Sequence, residues 1–245
     1  MDKLLRAARD LGLPLRSEHL PVFQRYYELL VEWNQRFNLT AITDYEQVQV
    51  RHFADSLTCL LAAPALLEAV RRGAACRLAD VGTGAGFPGL PVKIVWPQAR
   101  LTLIEAVGKK CTFLEEVSRE LGLTNVTVVN ARAEEVGRDP LHRESYDVVL
   151  ARAVAEMAVL AEYCLPLARR QGLVVAQKGE EVEEEVVRAE HAVAVLGGRV
   201  ERVLRVEVPG TALPRSLVVL RKTSLTPPEY PRRPGVPSRR PLRAV

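Results

Sequence analysis

Twelve consecutive residues, Leu78-Ala-Asp-Val-Gly-Thr-Gly-Ala-Gly-Phe-Pro-Gly89, limit what the rest of the chain can be. A short apolar run ends on an acid, glycines follow at 82, 84, 86 and 89, and Pro88 and Pro91 open an apolar stretch through Ile94 to Trp96. This is the pattern of a strand, a tight turn and a helix. Glycine at alternate positions admits φ > 0 and lets a ligand approach the backbone within van der Waals reach. The helix behind the turn presents unpaired N–H groups and the positive end of its dipole.

Two cofactor classes suit such a loop, a dinucleotide and S-adenosylmethionine. Gly84-Ala-Gly86-Phe-Pro-Gly89 matches G-x-G-x-x-G, but a dinucleotide fingerprint begins at the end of the strand, and this match starts two residues late. The pattern on register is Asp80-Val-Gly82-Thr83-Gly84-Ala-Gly86. It resembles motif I of the class I S-adenosylmethionine-dependent methyltransferases, in which an acid two positions before the first glycine organises the loop around the methionine end of the cofactor.

The remaining pattern predicts a sheet for this loop to sit on. Strands are expected at Arg77–Val81, Arg100–Glu105, Val126–Asn130, Tyr146–Leu150 and Leu173–Gln177, alternating with helices at Lys109–Leu121, Ala155–Arg169 and Glu180–Leu196. Two closing strands, Arg199–Val208 and Ser216–Arg221, are joined too tightly to pair other than antiparallel. The fold class is therefore α/β, a mostly parallel seven-stranded sheet with an antiparallel last strand, as in the class I methyltransferase fold. Ahead of it, Val22, Phe23, Tyr26, Leu29, Leu30, Trp33 and Phe37 recur at helical spacing between Ser17 and Asn38, and a second helix is expected from about Tyr45 through Leu61. The expected divisions are an N-terminal helical part (1–74), the cofactor-binding part (75–222) and a basic Pro/Arg-rich tail (223–245).

Composition enters through its asymmetry. The chain carries +4 overall, yet residues 221–245 hold seven Lys/Arg against one acid, Glu229. A near-neutral body with a basic end suits a polyanionic partner, and it also suits a solubilising tail. Cys59, Cys76, Cys111 and Cys164 are widely spaced, with no C-x-x-C pair, and are read as small core hydrophobes with no metal site. No secretory leader or membrane-length apolar run is visible, which points to the cytoplasm and away from a membrane.

Ligands of open α/β sheets bind beyond the carboxyl ends of the strands. Those ends here offer Gly82 to Phe87, Glu105-Ala106-Val107, Ala133-Glu134 and Arg152. Glu105 can accept from ribose hydroxyls of either cofactor class, and Ala133-Glu134 can face an adenine edge with Phe87 and small alanines leaving room for the ring. Arg152 is placed between cofactor and substrate; it would equally serve as an ion-pair partner of Asp80 or Glu134. Near the helix break, Asn38, Arg51, His52, Asp55 and Ser56 form a polar patch, although Arg51 and Asp55 alone are an ordinary i,i+4 pair. No N/D-P-P-Y-type run follows strand 4 and no cysteine nucleophile is evident, so exocyclic amines and pyrimidine C5 are disfavoured acceptors. Guanine N7 fits a site poor in bases, because its lone pair attacks without losing a proton. Lys178 keeps ribose 2′-O chemistry open.

Read together, Asn38-Leu-Thr-Ala-Ile, Arg51-His-Phe-Ala-Asp55-Ser, Asp80 through Gly89 and Tyr230-Pro-Arg-Arg-Pro-Gly235 resemble the RsmG family, the bacterial small-subunit ribosomal RNA methyltransferases G, over essentially the whole chain. The resemblance implies transfer of a methyl group from S-adenosyl-L-methionine, leaving S-adenosyl-L-homocysteine, to N7 of a guanine (position 527) in the 530 loop of 16S rRNA. Loss of that family's activity is linked to low-level streptomycin resistance. It implies cofactor contacts from Asp80, Gly82, Thr83, Gly84, Gly86, Phe87, Glu105, Ala106, Val107, Ala133, Glu134 and Arg152, with Arg152 also catalytic. Guanine or RNA contacts are expected from Asn38, Arg51, His52 and Asp55, with Arg232, Arg233, Arg239 and Arg240 of the tail on phosphates. The partner would be 16S rRNA within the small subunit or an assembly intermediate, met by a monomer, with no DNA or membrane involved. Two other classes remain as alternatives, an NAD-dependent oxidoreductase and a non-catalytic RNA-binding module. Against the first, His142 and His191 are the only histidines of the α/β part, and neither follows a strand's carboxyl end.

Overall fold

Alternation of apolar strands with amphipathic helices resolves, in the computed structural model, into one sheet with helices on both faces; the structure describes residues 1–212 and 214–243. Strands β1 (Cys76–Val81), β2 (Ala99–Glu105), β3 (Val126–Asn130), β4 (Tyr146–Arg152), β5 (Ala168–Lys178), β6 (Gly198–Val206) and β7 (Arg215–Lys222) lie in the order β3-β2-β1-β4-β5-β7-β6. The first five pair in parallel, and β7 inserts antiparallel between β5 and β6. Strand order reverses between β1 and β4, which opens a crevice at their carboxyl ends.

Five helices precede the sheet: α1 (Asp2–Asp10), α2 (Leu20–Phe37), α3 (Tyr45–Val48), α4 (Asp55–Leu57) and α5 (Pro64–Arg71). Within and beyond the sheet come α6 (Gly89–Val95), α7 (Gly108–Glu120), α8 (Ala133–Val136), α9 (Met157–Cys164), α10 (Glu183–Val195) and α11 (Val236–Arg239). None of the described residues forms a single helix long and apolar enough to cross a membrane.

The period-two alternation of β1 divides the core. Leu78 faces one side, where Phe23, Leu30, Phe53, Leu90, Trp96 and Phe113 are buried, while Ala79 and Val81 face Leu160, Ala161 and Val186 on the other. Buried residues of 1–74 therefore share one continuous core with the first sheet face. This packing holds α2 and the helical run after it against the carboxyl-end crevice. All four cysteines are buried, as expected of small core hydrophobes.

Local departures from the expected elements have identifiable causes. α2 buries Phe23, Tyr26, Leu29 and Leu30 and stops where Asn38 turns left-handed at φ 47°, a conformation asparagine tolerates. The expected helix from Tyr45 through Leu61 is a continuous helical run of changing pitch. A π-helical stretch, Gln49–Ala54, separates α3 from α4, and a 3-10 turn, Thr58–Ala62, follows. The helix expected over Ala155–Arg169 ends at Cys164, since Pro166 cannot continue it, and Ala168 through Gln171 join β5 instead. The C-terminal segment is folded onto the body: Arg143 donates to the carbonyls of Thr226 (2.7 Å) and Tyr230 (2.7 Å), and Arg138 to that of Pro231 (2.6 Å).

Candidate active site

The glycine-rich turn after β1 is held from below by two carboxylates. Asp80 is fully buried, and one of its oxygens, Oδ2, accepts from Thr83 Oγ1 at 2.6 Å and from the Gly89 N–H at 2.8 Å. Burial is the largest influence on it and pushes its pKa up to about 6, against the opposing pull of those two hydrogen bonds and of the Arg152 charge. Its other oxygen, Oδ1, is buried without a partner. Glu105, at the end of β2, accepts from the Gly84 N–H at 3.0 Å and from the Val107 N–H at 2.9 Å. Gly82, Gly84 and Gly86 all have positive φ, at 66°, 60° and 95°.

Gly84 is the informative member. A Cβ built there meets no atom within 4 Å, so the turn opens onto free space that a side chain would fill. Gly82, Ala106 and Val107 are exposed beside that space. A glycine cradle with exposed edges, backed by the Glu105 carboxylate, fits the methionine and ribose portions of S-adenosylmethionine.

The opposite side of the turn is clamped by α2. The Tyr26 hydroxyl donates to the Ala85 carbonyl at 2.5 Å, and the absence of a Cβ at Gly86 gives Tyr26 and Leu90 the room to close in. Phe87 is where the structure corrects the sequence reading. Its ring does not lie beside Ala133 and Glu134; it is buried against Tyr26 (centroids 5.5 Å apart) and His52 (4.5 Å, 20° between planes), with the Arg152 guanidinium 4.9 Å from its centroid.

Around this aromatic stack lies a second compartment, a cavity of about 360 Å³ lined by Arg51, His52, Asp55, Arg152, Gln177 and Arg215 among others. Its centre is Asp55, a nearly buried carboxylate shared between two guanidiniums: Arg152 Nη1 at 3.0 Å and Arg215 Nε at 3.2 Å. Arg152 also reaches the Arg51 carbonyl at 3.3 Å and His52 Nδ1 at 3.4 Å. The i,i+4 pair of Arg51 with Asp55 does not form, and Arg152 bonds neither Asp80 nor Glu134, because Asp55 lies within its reach across the crevice. His52 meets Thr40 Oγ1 through Nε2 at 2.8 Å. Burial first, and then the Arg152 charge, lower its pKa to about 3, so the ring is neutral and a poor proton acceptor at physiological pH.

The π-helical stretch brings Arg51, His52 and Asp55 to this one cavity. Asn38 does not join them; it is exposed at the end of α2, and its left-handed backbone accounts for the residue type. Lys178 lines the cavity, but its ammonium is taken up by Glu185 at 2.6 Å and the Ala155 carbonyl at 2.8 Å. Glu134 is buried with Oε1 accepting from the Gly235 N–H at 2.9 Å, so the C-terminal segment adjoins the expected adenine edge.

Of the four tail arginines, Arg232 is corrected: its guanidinium closes on the fully buried Glu162 at 2.6 to 3.2 Å and is an internal anchor. Arg233, Arg239 and Arg240 are exposed. Sequence reasoning missed Tyr26, Thr40, Gln177 and Arg215. Gln177 adjoins Lys178 at the carboxyl end of β5, and that position is its signal. Arg215 begins β7, and because β7 is antiparallel its amino end shares the edge formed by the other strands' carboxyl ends. That signal is readable once the strand's direction is known.

Comparison with known proteins adds to this geometry. The family model for rRNA small subunit methyltransferase G (GidB) matches residues 19–213. A Roseiflexus sp. (strain RS-1) protein named ribosomal RNA small subunit methyltransferase G is 53% identical, over 99% of this chain and 100% of its own length. One of the same name from Pelotomaculum thermopropionicum is 50% identical over 98% of each chain. Among solved structures, a 16S rRNA (adenine(1408)-N(1))-methyltransferase variant from Catenulisporales acidiphilia matches with a TM-score of 0.52 at 15% identity, over 67% of this chain and 93% of that one. A likeness at that identity bears on fold alone.

Proposed function

The chain belongs to the rRNA small subunit methyltransferase G family, and we propose that it methylates N7 of a guanine in the 530 loop of 16S rRNA. It is an S-adenosylmethionine-dependent methyltransferase, and the cofactor supplies an electrophilic methyl group on sulfur. The observation that carries the reading of the site is the pairing of two compartments on either side of the crevice. The open cradle at Gly84 follows β1, the Asp55, Arg152 and Arg215 cavity lies at the carboxyl ends of β4 and β5, and Phe87 of the turn links them by stacking on His52 and Arg152 of that cavity.

The residues divide the work accordingly. Gly82 to Gly86, with the backbone of Phe87, cradle the methionine end, supported by Asp80 and Thr83. Glu105, with Ala106 and Val107, takes the ribose, and Ala133 with Glu134 borders the adenine. Arg51, His52, Asp55 and Arg152 border the base. Such a site acts by alignment and exclusion of water, since N7 presents its lone pair without deprotonation and calls for no general base, a role the neutral His52 is too weak to fill. Occupied Lys178 takes weight from the ribose 2′-O reading. Exposed Arg233, Arg239 and Arg240 supply phosphate contacts, with the base selected in the cavity.

The substrate is taken to be the small subunit or an assembly intermediate that presents the base unstacked, met in the cytoplasm by a monomer. The test is calorimetric titration with S-adenosylmethionine and, separately, NAD, followed by a labelled-methyl assay on small subunits lacking the modification. Methyl-donor binding weakened by Glu105→Ala, and label recovered at guanine N7, are the expected results. Binding of NAD alone would overturn the reading, and binding of neither would favour a module that only holds RNA.

A further inference from the structure

Two side-chain polar atoms among the described residues are buried without a hydrogen-bond partner: Asp80 Oδ1 under the glycine cradle and Gln177 Oε1 at the cavity. Leaving such an atom unpaired is costly, and each one in a folded protein calls for an explanation such as a functional partner. Gln177 is 3% exposed on β5, and its amide is oriented by its neighbours. Nε2 donates to the Asp55 carbonyl at 2.6 Å and to Thr58 Oγ1 at 3.0 Å. A backbone carbonyl only accepts, so the nitrogen must be on that side and Oε1 must point away from it.

We propose that Gln177 identifies the target base as guanine, its Oε1 accepting from the ring N1–H while Arg152 and Arg215 donate to O6; this rests on the guanine-N7 reading above. The chemistry of the wall dictates the pairing. Guanidiniums have donors only, and the orphan amide oxygen accepts only. With N7 left free for the methyl group, guanine presents next an acceptor, O6, and then a donor, N1–H. Adenine presents the reverse, an amine and then a bare N1, so it would set donor against donor and acceptor against acceptor. A site built on such hydrogen bonds rejects the analogue that lacks them far more strongly than an apolar pocket does.

The arginines are free to make this exchange. Their contacts in the cavity run from 3.0 to 3.4 Å, long for charge-assisted bonds, whereas Arg232 is seated on Glu162 at distances down to 2.6 Å. A base drawing them toward O6 opens the path from the cavity to Oε1. Asp55 remains the carboxylate that holds both guanidiniums. As the N7–methyl bond forms and the carbon–sulfur bond breaks, the ring becomes cationic and its N1–H more acidic. The bond to Gln177 then strengthens in the transition state, and its loss falls on kcat more than on KM.

The test uses small subunits reconstituted with 16S rRNA carrying guanine, inosine or 2-aminopurine at the target position. Inosine keeps N7, O6 and N1–H and lacks only the exocyclic amine; 2-aminopurine keeps N7 and lacks both O6 and N1–H. Wild-type protein is expected to methylate inosine within a few-fold of guanine and 2-aminopurine at least about tenfold more slowly. Gln177→Met, which leaves Thr58 Oγ1 donating to the Asp55 carbonyl at 2.6 Å, should lower kcat on guanine by about tenfold or more with no fall on 2-aminopurine, whose bare N1 gains nothing from Oε1, and leave the KM for S-adenosylmethionine unchanged. An equal fall on guanine and 2-aminopurine would make Gln177 merely structural and overturn the proposal. So would inosine as poor as 2-aminopurine for the wild type, a result that needs no variant to fold. If the wild type leaves guanine unmethylated, the guanine-N7 reading itself is what fails.

Discussion

Replacing His52 with phenylalanine isolates the energetic consequence of burying an imidazole beside Arg152. The folded protein lowers the His52 pKa from 6.5 to about 3, chiefly by burial and then by the Arg152 charge. Between those values the unfolded chain binds a proton that the folded chain refuses. Stability contributed by the neutral ring is therefore fully present above pH 6.5 and is lost as the pH falls toward about 3. At about pH 5 the loss amounts to about 2 kcal/mol, from about 1.5 pH units at 1.36 kcal/mol each. Asp80 contributes with the opposite sign, since its raised pKa makes stability fall as the pH rises toward about 6, but it is present in both proteins and cancels in their difference. Phenylalanine keeps a ring against Phe87 and loses the Thr40 hydrogen bond, a pH-independent offset of about 1 kcal/mol. Urea unfolding at about pH 8 and about pH 5 should show wild type losing about 2 kcal/mol more than the variant on acidification. Equal losses would refute the assignment of a buried, neutral His52.

Gly84→Val places its branched side chain in the open space before the turn, so calorimetry should show S-adenosylmethionine binding abolished while the protein remains folded, with about 1–2 kcal/mol of backbone strain at φ 60°. Normal binding by that variant would mislocate the cradle. Arg232→Ala strands the buried Glu162 carboxylate and is expected to cost about 3–5 kcal/mol in urea unfolding. Arg239→Ala with Arg240→Ala should leave the unfolding midpoint unchanged and reduce the salt slope of RNA binding by about 1.4–1.8, the share of two phosphate contacts; an unchanged slope would remove the tail from the RNA interface.

Whatever depends on local chemistry and period is readable along the chain. The acid, the alternating glycines and the prolines of Asp80 to Gly89 mark a strand end, a tight turn and a helix start, because those residue types suit those local conformations. The apolar alternation of β1 to β5, the short link before β7 and the helical spacing of α2 were legible for the same reason, and so was the acid of Glu105 at a strand's end. Which charges meet depends on packing between distant segments. Asp55 had a plausible partner four residues away in Arg51, yet it pairs with Arg152 and Arg215, 97 and 160 residues along the chain. The pitch change at Gln49–Ala54 and the antiparallel direction of β7 bring those groups to one edge. The same applies to Phe87, whose ring turns to Tyr26 and His52 because α2 packs there, and to Arg232, which is drawn inward by a buried Glu162. Side-chain periodicity reports which face is buried; it carries no information about which distant residue shares that face. The polar wall of the cavity is completed only once β7 inserts beside β5 and brings Arg215 to Asp55.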